Sequence, residues 1–295
     1  SGYLPEHTLA AKALAHAQGA DYLEQDVVAT RDGHVIVCHD LYLERVTNVV
    51  DVFPARNRDD GHYYAIDFDW SEIKELAVSC DVVAAAALVD AAAPAASGEP
   101  FRICLLDEEI EFIHGLNSAS GRSVGIYPEI KNPRWHARHG CDLSSALLGI
   151  LADHGYRSAE DPVFLQCVDA DELRRLKKEL QTELRLTQLI GRSTDPGCLT
   201  REAFVAVADY AVALGPNYRL ALTSEADGRL RVSPLVHAAR DAGLELHPYT
   251  FNYAELPADV ADLEELLALA YEVLRADAVF CDFPDVAVGL RDAQG

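Results

Sequence analysis

Methionine is absent from the 295 residues, and tryptophan occurs only twice. Positive charge is also scarce: 25 Lys and Arg stand against 48 Asp and Glu, a formal net charge of −23. Such an excess disfavours nucleic acid and anionic membrane surfaces as partners. An anionic small substrate would need positive charge concentrated locally, from a metal ion or a few basic side chains. The charge itself reads most simply as a solvated acidic surface. No run of about eighteen or more uncharged apolar residues occurs, so no membrane span is predicted. The Ala-rich run from Val82 to Ala96 is broken by Asp90 and Pro94 and reads as a surface helix or loop. None of the seven cysteines forms a CxxC pair or sits at metal spacing from a second. Cys38, Cys167 and Cys281 lie in apolar, strand-like runs and read as small core residues. Cysteine therefore decides nothing about compartment.

Hydrophobic residues make up 49% of the chain, enough for a sizeable core. Its length fits one large α/β domain with an insertion, or two ordinary domains. Leu9, Ala13, Leu14 and Ala17 recur at helical spacing before Gly19, which predicts a helix over His7–Gly19. Strands are predicted over Ala20–Thr30 and Val35–His39, separated by the turn Arg31-Asp32-Gly33. From Leu43 to about Ser120 the pattern becomes irregular and reads as an insertion, with a helix over Glu108–Gly115. After Ser123 strand-like and helix-like runs alternate. The strands are Val124–Lys131, Val163–Cys167, Leu184–Ile190, Ala211–Gly215, Leu244–Phe251 and Ala278–Phe283. The helices are Leu143–Asp153, Ala170–Leu180, Arg201–Tyr210, Pro234–Ala242 and Leu263–Arg275. This alternation predicts a parallel sheet in an α/β fold of the (β/α)8 TIM-barrel type. Taking Ala20–His39 as one unit leaves the strand count one short. Because the visible chain opens on a helix, the first strand is expected to precede Ser1. A chain that begins at Ser1 and holds no Met reads as processed, trimmed or N-terminally incomplete.

Barrel enzymes place their chemistry at the carboxyl ends of their strands. Glu24 and Asp26 are two apart on a strand and so point to the same side. Two such carboxylates repel unless a cation lies between them, and a hard divalent ion with oxygen ligands fits; the plainer alternative is a solvated strand edge. His39 and Asp40 end the next run, where the Asp could orient the ring or simply cap the turn. Glu129 and Lys131 share a face at the end of Val124–Lys131. They would supply a third carboxylate and a phosphate contact, or else a surface pair worth little. Later strand ends offer Gln166, His247-Pro248-Tyr249 and Cys281-Asp282-Phe283-Pro284.

Taken in order, Ser1-Gly2-Tyr3-Leu4-Pro5-Glu6-His7-Thr8, Glu24-Gln25-Asp26, His39-Asp40, Tyr127-Pro128-Glu129-Ile130-Lys131, Leu165-Gln166-Cys167, His247-Pro248-Tyr249-Thr250 and Asp282-Phe283-Pro284 strongly resemble the glycerophosphodiester phosphodiesterase family. The likeness is to the long bacterial, often periplasmic type, and it spans the chain, including Tyr63-Tyr64-Ala65-Ile66-Asp67-Phe68 in the insertion. The resemblance implies that Glu24, Asp26 and Glu129 hold Ca²⁺ or Mg²⁺, Ca²⁺ being favoured, and that His39 is one of two catalytic histidines. It further implies that Glu6 shapes the entrance, that Lys131 faces the phosphate, and that Gln166, Tyr249 and Asp282 surround the substrate. In the family a His-Arg-Gly-Ala segment, with the other catalytic histidine and a phosphate-binding arginine, precedes the match to Ser1-Gly2. The chain as given is therefore expected to be impaired, and no remaining histidine, His7 included, takes that role by the family match.

The activity implied is hydrolysis of glycerophosphodiesters to glycerol 3-phosphate and an alcohol such as choline or ethanolamine. One histidine would take a proton from the nucleophile while the other protonates the leaving alcohol. A small-molecule substrate is expected, and a periplasmic or exported location; oligomeric state is left open. Two alternatives are a lysophospholipase D or sphingomyelinase D-like lipid hydrolase on the same barrel, which needs an apolar mouth, and an inactive truncated homologue.

Overall fold

In the computed structural model, residues 2–78, 101–224 and 230–294 are described. The Ala-rich run from Val82 to Ala96, and Cys80 with it, lie outside them. Contacts divide the chain into two units, Ser1–Val163 and Phe164–Gly295.

The first unit is organised by a parallel strand pair. Thr8 caps the opening helix, Leu9–Ala17, by accepting a hydrogen bond from the Ala11 amide at 3.3 Å. The chain then turns at Gly19, whose φ of +98° suits glycine, and enters β1, Tyr22–Ala29. A turn through Gly33 returns it as β2, Val35–Val37, antiparallel to β1 with Val27 opposite Val37. Further on, β3, Gly125–Ile130, lies parallel to β1 in the register Tyr22 to Gly125 through Val27 to Ile130. This register needs a bare α-carbon at Gly125, where a Cβ would stand 2.4 Å from both the Tyr22 ring and the Pro162 carbonyl.

The described part of the predicted insertion does not pack on itself alone. Leu43, Val49, Tyr63, Phe68, Ile73, Leu76, Val78 and Ile103 share one buried cluster with Val28 of β1 and with Ile36 and Cys38 next to it. The predicted helix over Glu108–Gly115 is longer than its apolar pattern suggested. It runs Leu106–Ser120, starts with three acidic residues in its first turn and stops at Gly121, φ +72°. Glu109 on this helix is fully buried and pairs with Lys12 at 3.4 Å.

In the second unit β4, Phe164–Cys167, β5, Arg185–Ile190, and β6, Ala213–Pro216, are parallel neighbours in that order. A small antiparallel pair follows, β7, Leu222–Ser224, with β8, Leu230–Val232. Then β9, Glu245–Leu246, pairs with β6. Helices Ala170–Lys178, Arg201–Ala208 and Pro234–Asp241 alternate with the strands, the first two capped by Asp169 and Thr200 side chains. The β–α alternation across both units is the α/β pattern of a TIM-type barrel.

Three further predicted elements differ in extent. The strand over Leu244–Phe251 is regular only at Glu245–Leu246, although the His247 and Tyr249 amides still reach β6 at the Leu214 carbonyl, 2.9 Å, and the Pro216 carbonyl, 3.0 Å. Ala278–Phe283 runs beside it through bonds such as Phe280 N–H to Pro248 O at 3.0 Å, without regular strand geometry. The Asp277 carboxylate takes the Leu246 amide at 2.8 Å, so a side chain fills a place that a strand carbonyl would hold. The helix predicted over Leu263–Arg275 is α-helical only to Ala268 and then widens into a π turn over Leu269–Leu274.

His136 anchors the carboxyl end of β1. It is fully buried, its Nε2 accepts the Ala29 amide at 3.2 Å, and its Nδ1–H reaches the Asn132 carbonyl at 3.2 Å. Burial lowers its pKa against the opposing pull of backbone hydrogen bonds. Its contribution to stability is therefore full above about pH 6.5 and lost as pH falls below that. His136→Leu strands the Ala29 amide and should lower the unfolding free energy by about 1–3 kcal/mol in denaturant titrations. It should also remove part of the acid-side loss seen in the parent.

Candidate active site

Period-two alternation puts Glu24 and Asp26 on one side of β1, and the parallel register sets Glu129 directly beside Asp26. Lys131, just past β3, reaches both neighbours: Nζ is 3.1 Å from Glu129 Oε1 and 3.3 Å from Asp26 Oδ1. From the start of the opening helix His7 comes down on the same group, its Nε2 2.9 Å from Asp26 Oδ2. His7, Glu24 and Asp26 each offer a ligand atom, and these atoms lie within 4.8 Å of one another. Below them Lys12 Nζ donates to the Glu24 carbonyl, tying the strand to the buried Lys12–Glu109 pair.

Burial and like charge dominate the electrostatics. Glu24 is pushed well above the usual carboxylate range by desolvation, with the charges of Asp26 and Glu129 adding to it. Glu129 is raised to about 8 by burial and by Asp26, against the pull of Lys131. Burial pushes Asp26 up as well. There the hydrogen bond and charge of His7, with Lys131 and His39, outweigh it and hold the carboxyl below its ordinary value. Lys131 is raised: the charges of Asp26 and Glu129 outweigh desolvation, which alone would lower it. One carboxylate is thus kept ionised while its two neighbours resist ionising beside it.

His39 stands at the end of the β2 region, half exposed, its Nδ1 2.7 Å from Asp40 Oδ1. Asp40 is held in turn by Arg45, which also reaches Glu6. These hydrogen bonds and charges lower the Asp40 and Glu6 carboxyls despite burial, which acts the other way. Glu6, His7, Cys38 and His39 line one small cleft with Val46, Val78 and Ile103. In the first unit the structure thus gathers Glu6, Glu24, Asp26, His39, Glu129 and Lys131 around β1, β2 and β3. In the second, Gln166 is buried on β4, Tyr249 donates to the Ile190 carbonyl at 3.1 Å, and the Asp282 amide bonds the Phe251 carbonyl.

Sequence reasoning gave no role to His7, Arg45 or Lys12. Arg45 follows His39-Asp40 closely enough to have been a candidate for that carboxylate. His7 has φ +55°, the left-handed region, which turns its ring toward Asp26. Nothing in its sequence neighbourhood signals that conformation.

The donor set suits a hard cation. Carboxylates predominate, two of them resist ionisation because they are buried beside like charge, and the buried Asp26 Oδ1 accepts no hydrogen bond. These features define an α/β-barrel enzyme with an acidic site, bearing histidine and lysine, built on β1 and the end of β3.

Comparison with known proteins narrows this class. The model of the glycerophosphoryl diester phosphodiesterase family matches residues 1–286, and the chain belongs to that family. It is 37% identical to the glycerophosphodiester phosphodiesterase of Haemophilus influenzae, over 98% of this chain and 86% of that protein. It is 34% identical to that of Treponema pallidum, over 98% and 88%. Solved structures share the fold. An Oleispira antarctica phosphodiesterase, in complex with the product sn-glycerol-3-phosphate, aligns with a TM-score of 0.68 at 20% identity, covering 99% of this chain and 93% of that one. The glycerophosphodiester phosphodiesterase of Agrobacterium tumefaciens gives 0.61 at 21% identity, covering 97% and 94%.

The raised Glu129 has a thermodynamic signature. Between about pH 4.5 and 8 the folded chain keeps a proton that the unfolded chain has released, so this group makes stability fall as pH rises through that window. Glu24 acts in the same direction. In melts with a chelator present, Glu129→Gln should gain on the parent as pH rises from 5 to 8, by up to about 1.4 kcal/mol per pH unit. Added divalent cation should stabilise the parent more at pH 8 than at pH 5, and Glu129→Gln much less.

Proposed function

We propose that this protein hydrolyses glycerophosphodiesters to glycerol 3-phosphate and an alcohol, using a divalent cation held by Glu24, Asp26 and Glu129. The observation that carries the reading is the in-register pair Asp26 and Glu129 with Lys131 between them and Glu24 on the same face. The names of the Haemophilus and Treponema relatives, and the product bound in the Oleispira structure, support the choice of substrate. Ca²⁺ is favoured and Mg²⁺ second, because an oxygen-rich set of carboxylates suits hard ions. When bound, the ion supplies charge neutralisation at the phosphate and Lewis acidity.

Residues of this chain supply further parts of the chemistry. Lys131 puts a fixed positive charge at the carboxylate cluster, which a chain of net charge −23 needs in order to receive an anion. The contact from His39 Nδ1 to Asp40 fixes the ring and leaves Nε2 to take or give a proton. Arg45 keeps Asp40 and Glu6 in place at the cleft. Val46, Val78 and Ile103 bring the predicted insertion to the same cleft as Glu6 and His39. The assignment of Gln166, Tyr249 and Asp282 to substrate binding rests on the family resemblance.

The test is release of glycerol 3-phosphate from glycerophosphocholine, assayed with chelator and then with Ca²⁺ or Mg²⁺ restored. Activity should require the cation. His39→Ala should lower kcat by about 10²–10⁴, and Asp26→Asn should abolish the response to cation. Full activity in chelator would overturn the metal reading. Turnover unchanged by His39→Ala would remove His39 from the mechanism.

A further inference from the structure

His7 stands outside the groups assigned above to cation, phosphate or proton transfer, yet it is bonded to one of the proposed cation ligands. Its Nε2 is 2.9 Å from Asp26 Oδ2. An ionised carboxylate only accepts hydrogen bonds, so Nε2 carries the hydrogen. The other ring nitrogen, Nδ1, is buried and meets no hydrogen-bond partner. That suits the Nε2–H tautomer, since a proton on Nδ1 would bury an unpaired donor.

The backbone around the ring is built to hold it there. His7 takes φ +55°, which residues other than glycine rarely adopt. The next residue, Thr8, is buried and fixed twice, donating to the Pro5 carbonyl at 2.9 Å and accepting from the Ala11 amide. The ring is therefore clamped between the start of a capped helix and the face of β1. With Oδ2 of Asp26 occupied, Oδ1 is left accepting no hydrogen bond, 3.3 Å from Lys131 Nζ.

We propose that His7 is a positioning residue: its Nε2–H holds Asp26 Oδ2 so that Oδ1 is presented to the divalent cation. The inference rests on the metal reading given under the proposed function. Partners that orient a ligand in this way typically govern metal affinity by about 10–100-fold.

Mn²⁺ is a suitable probe, with affinity measured by calorimetry and ligation by pulsed electron paramagnetic resonance. His7→Leu should weaken Mn²⁺ binding by about 10–100-fold. His7→Gln, whose amide nitrogen can stand where Nε2 stood, should recover most of it. His7→Gly relieves the left-handed backbone but has no donor, and should bind as weakly as His7→Leu. Melts in chelator accompany each variant, so that a loss of affinity is compared among folded proteins. Parent-like affinity in His7→Leu or His7→Gly would overturn the proposal, as would a His7→Gln no better than His7→Leu. Hyperfine coupling from an imidazole nitrogen that His7→Gln abolishes would make His7 a direct ligand and overturn the positioning role. If the parent binds no Mn²⁺, or binds it equally after Glu24→Gln, the metal reading itself fails and this proposal falls with it.

Discussion

The register between β1 and β3 is the constraint on which the site depends. A parallel pair offset by one residue would turn Glu129 to the other side of the sheet and leave Asp26 beside an apolar side chain. In the observed register two carboxylates lie side by side out of water, an arrangement that is unfavourable unless positive charge is supplied. Lys131 supplies part of it, and His7 steadies Asp26 from the opposite oxygen. Gly125 protects that register at the other end of the pairing, because any larger residue meets the Tyr22 ring and the Pro162 carbonyl.

Around this pair the structure repeats one device, a charged side chain held by a partner of opposite sign from a different segment. Lys12 and Glu109 join the opening helix to the helix before β3, beneath Glu24. Arg45 joins Asp40 to Glu6 across the cleft. The Lys12–Glu109 pair is fully enclosed, so removing either partner would leave an uncompensated charge, typically a loss of about 3–5 kcal/mol. The Arg45 contacts are half exposed, and their value lies in orienting Asp40 and Glu6 more than in stability.

Much of this was legible in the letters, for reasons that differ by residue. The alternation of Glu24 and Asp26 is local and follows from the two-residue period of a strand. The strand–helix rhythm after Ser123 is also local, and it gave the fold class; the family resemblance rested on the order of short motifs. The adjacency of Asp26 and Glu129 was reachable only through that resemblance, since register is a relation between distant segments. His7 escaped because its direction is set by a left-handed backbone angle, and a histidine ahead of a Thr-capped helix has no signature for one. Nothing in the sequence around Glu109 marks it out, and only tertiary packing reveals that it is enclosed with Lys12. The run Ala278–Phe283 has strand composition, yet the Asp277 side chain takes one of the ladder amides.

Phe68, Leu43 and Ile73 share their apolar cluster with Val28 and Ile36, two residues of the β1–β2 hairpin. The described residues of the predicted insertion and the strand that carries Glu24 and Asp26 therefore share one buried core, which ties their opening together. Amide hydrogens of β1 would exchange with solvent no faster than this shared cluster comes apart. A substitution deep in the insertion, far along the chain from either carboxylate, would raise the fraction of time the site spends disassembled without touching any of its residues.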